Sequence, residues 1–119
     1  MATLVLARRA ATDIAEIERF SVAQWGRRVA EEYLDGIEHA LVRLRAQPEL
    51  LRTRPQISRH FGLYRVGQHF LVGVIVDQNV YILAACHAAI DLPNRLMEWE
   101  PGLLAEAEQL HRRFLAQSR

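Results

Sequence analysis

His87 closes an apolar run and is followed four residues later by Asp91, a spacing that lets an imidazole and a carboxylate form a hydrogen-bonded pair. Such a pair either fixes a loop or performs general acid–base work, and the second role needs a nucleophile or phosphate clamp close by. Only one tract offers a clamp. From Leu50 to Val76 there is no acidic residue, while Arg52, Arg54, Arg59 and Arg65 fall there with His60 and His69. A solvated arginine-rich loop and a rim that binds phosphate or acidic groups both fit that composition. Trp25 stands beside Gly26 and reads either as a core plug or as a docking anchor.

Other chemistry is poorly served. Cys86 and His87 are neighbours on an apparent strand, so they point to opposite faces and do not share a metal ion. The glycines at 26, 36, 62, 67, 73 and 102 fit no phosphate-binding fingerprint, and Ser21, Ser58 and Ser118 lie in no nucleophile motif. All 15 Lys+Arg residues are arginine, which removes mechanisms that need a lysine base or Schiff base. No cofactor and no metal are expected.

The elements that must position these groups are organised around Leu63 to His87. Phe70 to Val76 and Val80 to Cys86 are each about one strand long, with Asp77-Gln78-Asn79 as turn residues between them. In the first arm Phe70, Val72, Val74 and Val76 face one way and Leu71 and Ile75 the other, so both faces of the sheet need cover. Thr3 to Leu6 supplies a further strand. A first helix follows, with Thr12 or Asp13 as cap, Glu16 as capping-box partner, and Ile14, Ile17 and Phe20 or Ser21 at helical spacing; it ends near Trp25-Gly26. A second helix runs from Arg27 to Ala46, its stripe made of Val29, Tyr33, Ile37, Ala40, Leu41 and Leu44, until Pro48 stops it. The two form a hairpin whose apolar stripe covers one sheet face. Glu49 to His60 reads as a loop, Phe61 to Val66 as a strand, and Ala88 to Pro101 as irregular chain. A last helix from Gly102 to about Gln117 carries Leu103, Ala107, Leu110 and Phe114, and its stripe fits either the second sheet face or another chain.

At 119 residues the chain is long enough for one domain with its own core. The net charge of +1 argues against the whole-domain basic field of a nucleic-acid binder, so no direct specific DNA binding is expected. No apolar run suits a membrane span or signal peptide, which makes the cytoplasm the expected compartment.

The order of strand, helical hairpin, arginine-rich loop and three strands, with FSVAQWG, LRAQPELLRTRP and VGQHFLVGVIVDQNVYILAACHAAIDLPNRL, resembles the ParE branch of the RelE/ParE toxin superfamily over roughly residues 4 to 96. The resemblance implies an α+β fold, a small curved and mostly antiparallel sheet with the hairpin across one face, spanning residues 1–97, with residues 98–119 as a C-terminal helical extension. It implies the toxin of a type II toxin–antitoxin pair. ParE-like members bind and poison DNA gyrase, whereas RelE-like members cleave mRNA in the ribosome. Nuclease relatives commonly carry an aromatic and then a basic residue where this chain has Gly73-Val74, and an arginine where it has Ala84. Binding is therefore favoured over catalysis, with Arg65, His69 and His87 as the side chains left for a nuclease and a non-toxic binding module of the same fold as a further alternative. Carried over residue by residue, a ParD-like antitoxin would dock on Ile14, Ile17, Trp25, Tyr33 and Ile37 in a toxin–antitoxin hetero-oligomer. The gyrase-facing set would be Arg52, Arg54, Arg59, Arg65, His87 and Asp91.

Overall fold

A computed structural model describes residues 2–117. Its elements are β1 (Leu4–Leu6), α1 (Arg8–Trp25), α2 (Arg27–Ala46), a single 3-10 turn (Pro48–Leu50), β2 (Arg52–Thr53), β3 (Gly62–Val66), β4 (His69–Val76), β5 (Asn79–His87) and α3 (Leu92–Gln117). The sheet order is β1-β5-β4-β3-β2, with β1 parallel to β5 and the other pairings antiparallel. The expected α+β architecture is therefore present, and its detail departs from expectation at four places.

The first is the start of α1. Thr12 and Asp13 do not cap it, because the helix begins at Arg8, directly after an extended Ala7 that offers no side-chain cap. Ala7 spends its own N–H on Ile82 O and accepts Ala11 N–H, so the last rung of β1 leads straight into the first turn. Asp13 has another task. β1 ends opposite Ile82, which leaves β5 beyond that point with an open edge, and the Asp13 carboxylate accepts the Ala85 N–H there at 3.0 Å.

The second is which residues face inward. On α1 the buried positions are Ala10, Ile17 and Ser21, at steps of seven and four, so Ser21 is inside and Phe20 outside. On α2 they are Ala30, Ile37, Ala40 and Leu44, which turns Val29 out to solvent. In both helices a small residue takes the inward place beside the partner helix, where a bulkier one would hold the backbones apart.

The third is the loop before β3. Arg52 and Thr53 form a short edge strand opposite Leu63 and Gly62. Beyond it, Ser58 Oγ accepts the N–H groups of His60 and Phe61, both at 3.2 Å, and so closes the remaining turn onto β3. The β4–β5 loop is also tighter than expected: Asp77 and Gln78 have φ of 50° and 69°, and Asn79 already pairs with Val76. Two consecutive residues with positive φ match the right-handed twist of a two-residue hairpin.

The fourth is α3. It starts at Leu92, not at Gly102, and residues 92–101 are helical. Pro93 lies in the first turn, where a missing N–H removes no helical bond. Pro101 lies inside the helix and deprives Met97 O of its helical donor, on a turn whose Met97 is 74% exposed. Leu92, Leu96, Leu103 and Ala107 are buried in the same core as the sheet. One residue, Leu83, is skipped in the register between Val72↔Ala84 and Gly73↔Ile82, so β5 switches sides there. His69 and Tyr81 consequently point from opposite faces. Tyr33 of α2 bonds the first and His111 of α3 bonds the second, so α3 closes the second sheet face.

Candidate partner-binding surface

The end of the sheet where β3 turns into β4 lies under the tip of the helical hairpin. Gly67, with φ of +56°, makes the tight turn, and a Cβ there would meet the Tyr33 ring at 2.8 Å, so glycine also makes room for the tyrosine. The Tyr33 hydroxyl donates to Val66 O at 3.1 Å, accepts Gln68 N–H at 3.0 Å, and lies 2.6 Å from His69 Nδ1. The hydroxyl thus ties His69 to the β3–β4 turn, the direction of the Tyr33–His69 bond being set by the imidazole tautomer. His87 packs edge-on against His69 with ring centroids 5.1 Å apart. Burial first, and His87 second, hold the His69 imidazole below its ordinary pKa.

Around this cluster the hairpin tip is apolar and open. Trp25 and Phe20 are 53% and 55% exposed and meet edge to face, centroids 6.0 Å apart. A hollow of about 430 Å³ is lined by Trp25, Val29, Glu32 and Tyr33. Large aromatic groups left half in water at the end of a rigid hairpin are the kind of surface a partner buries. Of the residues expected to form the antitoxin groove, Trp25 is exposed here and Tyr33 is half-buried. Ile14 is half-buried against the core and Ile37 is a core residue with no surface to offer, while Ile17, 8% exposed, shows only an edge in the cavity between α1 and the ends of β4 and β5. Phe20 and Val29 were missed as surface residues. Each sits one position from the inward stripe beside a smaller residue, and that size difference was the available signal.

The residues expected to face gyrase are spread rather than gathered. Arg65 and Phe70 are opposite each other in the β3–β4 ladder, and the guanidiniums of Arg54 and Arg65 lie 5.5 and 5.7 Å from the Phe70 ring. Arg65 also donates to Gly67 O at 2.9 Å. Arg52 is exposed on β2 and Arg59 on the loop. His87 and Asp91 do not pair: His87 Nδ1 accepts Ala89 N–H at 3.0 Å, and Asp91 accepts from the Asn94 amide at 2.5 Å at the head of α3. Each fixes its own piece of chain.

Nor does the sheet assemble the nuclease set. His69 precedes Phe70, the partner of Arg65, by one residue on β4, so His69 and His87 share the hairpin face and Arg65 points from the other. Gly73 sits where the register shifts, and a Cβ there would run into Tyr81 O, so no side chain fits. Ala84 is fully buried. Among the described residues no group of three or more His, Cys, Asp or Glu could hold a metal ion, and no helix is long and apolar enough to cross a membrane.

Comparison with known proteins places this geometry. The family model described as ParE toxin of type II toxin-antitoxin system, parDE, matches residues 4–92. The chain belongs to the ParE toxin family. Among solved structures it is similar to a chain of the chromosomal ParDE TA system from P. aeruginosa, with TM-score 0.64 and 18% identity over 73% of this chain and 96% of that one. No curated protein sequence matches. Among the described residues, the part of this ParE-family toxin beyond residue 92 belongs to α3, so the family match ends where the helix begins.

Proposed function

We propose that this toxin acts by binding rather than by bond breaking, inhibiting DNA gyrase in the cytoplasm, and that a ParD-like antitoxin neutralises it in a hetero-oligomer. The observation that carries this reading is the split of Arg65 from His69 and His87 across the sheet, together with the lack of space at Gly73. Phosphodiester cleavage needs a proton-transfer group and a cationic clamp converging on one phosphate, and here they diverge. The exposed Phe20–Trp25 pair supports antitoxin docking on the hairpin tip, since a disordered segment offsets its ordering by burying apolar surface on a preformed site.

Induction of the toxin with and without the adjacent small open reading frame tests the proposal. Gyrase supercoiling should fail while mRNA stays intact, and co-expression of the antitoxin should restore growth. A second reading, ribosome-dependent mRNA cleavage, is favoured by the contact of Tyr33 with His69 beside His87; cleaved mRNA with normal supercoiling would replace the first reading by this one. Absence of growth arrest would make the chain a binding module without toxicity.

A further inference from the structure

On the sheet face away from the helical hairpin, three arginines gather at the β2–β3 corner. Arg52 pairs with Leu63 and Arg65 with Phe70, and Leu63 and Arg65 are two apart on β3, so Arg52 and Arg65 rise from the face opposite His69. Arg54 joins them at Phe70, its guanidinium 5.5 Å from the ring and that of Arg65 5.7 Å from it. We propose that this corner docks an acidic segment of the protein target, whose carboxylates pair with Arg54 and Arg65 and reach Arg52. The proposal rests on the reading that the toxin works through protein contacts, and it assigns the chemistry of the surface that the target presents.

Three features select a protein carboxylate. The positive charge is unanswered within the chain. No acidic residue occurs from Leu50 to Val76, and among the described residues no carboxylate lies within ion-pair distance of Arg52, Arg54 or Arg65. Glu100, which α3 brings to the same loop, is held by His60 at 2.5 Å. The arginines are also set in place before a partner arrives. Arg54 O accepts the N–H groups of Ile57 and Ser58, both at 2.8 Å, which fixes its backbone. Arg65 spends its Nε–H on Gly67 O at 2.9 Å, and its two terminal nitrogens are left to grip a carboxylate, at a lower ordering cost than a loose side chain would carry. Finally, the ring beside them is closed. Phe70 is 6% exposed, so no nucleobase reaches it to stack, and a net charge of +1 supplies no basic groove for a phosphate backbone to follow.

The test uses the full chain, labelled with ¹⁵N and titrated at low salt with a blocked pentaglutamate peptide, its pentaglutamine counterpart, and a thymidine hexanucleotide of the same charge as the first. The glutamate peptide should shift the amides of Thr53, Arg65 and Phe70 and leave those of Trp25 and Val29 in place. Arg54→Gln should weaken its binding roughly fivefold, about what one partly exposed charge pair contributes. Arg59→Gln removes the same charge from the same loop but not from Phe70, and should change binding by less than about twofold. Both side chains are exposed and neither guanidinium carries a hydrogen bond among the described residues, so both variants keep the fold. Equal losses in the two variants would reduce the effect to net charge and overturn the proposal. So would equal binding of the glutamine peptide, tighter binding of the hexanucleotide, or no localised shift with any probe. Neither antitoxin nor gyrase enters the titration, so a negative result leaves the binding reading and the hairpin-tip docking standing; normal supercoiling in induced cells would remove gyrase as the target and leave a positive titration intact.

Discussion

Replacing Trp25 by alanine separates binding from folding, because the side chain is half in water and its ring contact among the described residues is with the equally exposed Phe20. A tryptophan carries about 250 Å² of burial, so roughly 130 Å² remains for a partner to cover, worth about 3 kcal/mol at 25 cal/mol per Å². Incomplete coverage and ordering of the partner bring this down to about 2 kcal/mol, roughly a thirtyfold rise in Kd. The cost to the toxin's own fold is limited to the edge contact with Phe20, about 1 kcal/mol. Titration calorimetry against the antitoxin, paired with urea unfolding of the free toxin, reads both quantities. A folded Trp25→Ala variant whose Kd stays within about threefold of the parent, well under the 1.4 kcal/mol that makes a tenfold change, would refute the placement of the antitoxin on the hairpin tip.

Three further outcomes follow from the same geometry. Ile37, 1% exposed between α2 and the sheet, should not tolerate a charge: Ile37→Asp leaves an unpaired carboxylate in the core and should lower stability by roughly 4 kcal/mol or abolish folding, read by thermal unfolding. Gly67→Ala places a Cβ both at positive φ and against the Tyr33 ring, and should cost about 2 kcal/mol while disturbing the His69 ring signals in NMR. Burial, then the neighbouring Asp13, pushes the Cys86 thiol up to about 11 from an ordinary 9.0, so the folded state holds a proton that the unfolded chain releases. The thiol's contribution to stability should thus be constant below about pH 9 and fall, by up to about 3 kcal/mol, as pH rises from 9 to 11; Cys86→Ala should flatten the slope over that window, and the native thiol should resist alkylation at pH 8.

The sheet and both hairpin helices were legible because their signals are periodic and local. Arg27 to Ala46 carries a continuous inward stripe closed by a proline, and α2 has those bounds in the structure. What sequence could not give depends on distant partners. Thr12 and Asp13 looked like caps because acceptors before an apolar stripe usually are, yet the open edge of β5, over seventy residues away in the chain, claims Asp13 instead. Pro101 looked like a boundary because proline removes a helical bond, yet α3 runs through it, held on both sides by the buried Leu96 and Leu103. The docking residues suffered in the same way. Ile17 and Ile37 were carried over from the family resemblance, yet they sit on the stripes that hold hairpin to sheet, and it is Phe20 and Val29 beside those stripes that reach solvent.

The helix that the family match omits is nonetheless part of the core. Its inward residues share one cluster with Val72, Tyr81 and Ala84, and its far end is fastened by a polar chain: Tyr81 hydroxyl to His111 Nδ1 at 2.7 Å, and His111 Nε2 to Asp77 at 3.0 Å. A neutral His111 satisfies that chain, accepting from the tyrosine and donating to the carboxylate, and Phe114 stacks on the ring. Tyr81 is fully buried, so removal of α3 would strand its hydroxyl and bare the apolar face around it. Such a face cannot stay in water uncovered. A ParE-type sheet carrying this face therefore requires either α3 or another surface in its place, which makes the extension a condition of the toxin's folding as a monomer.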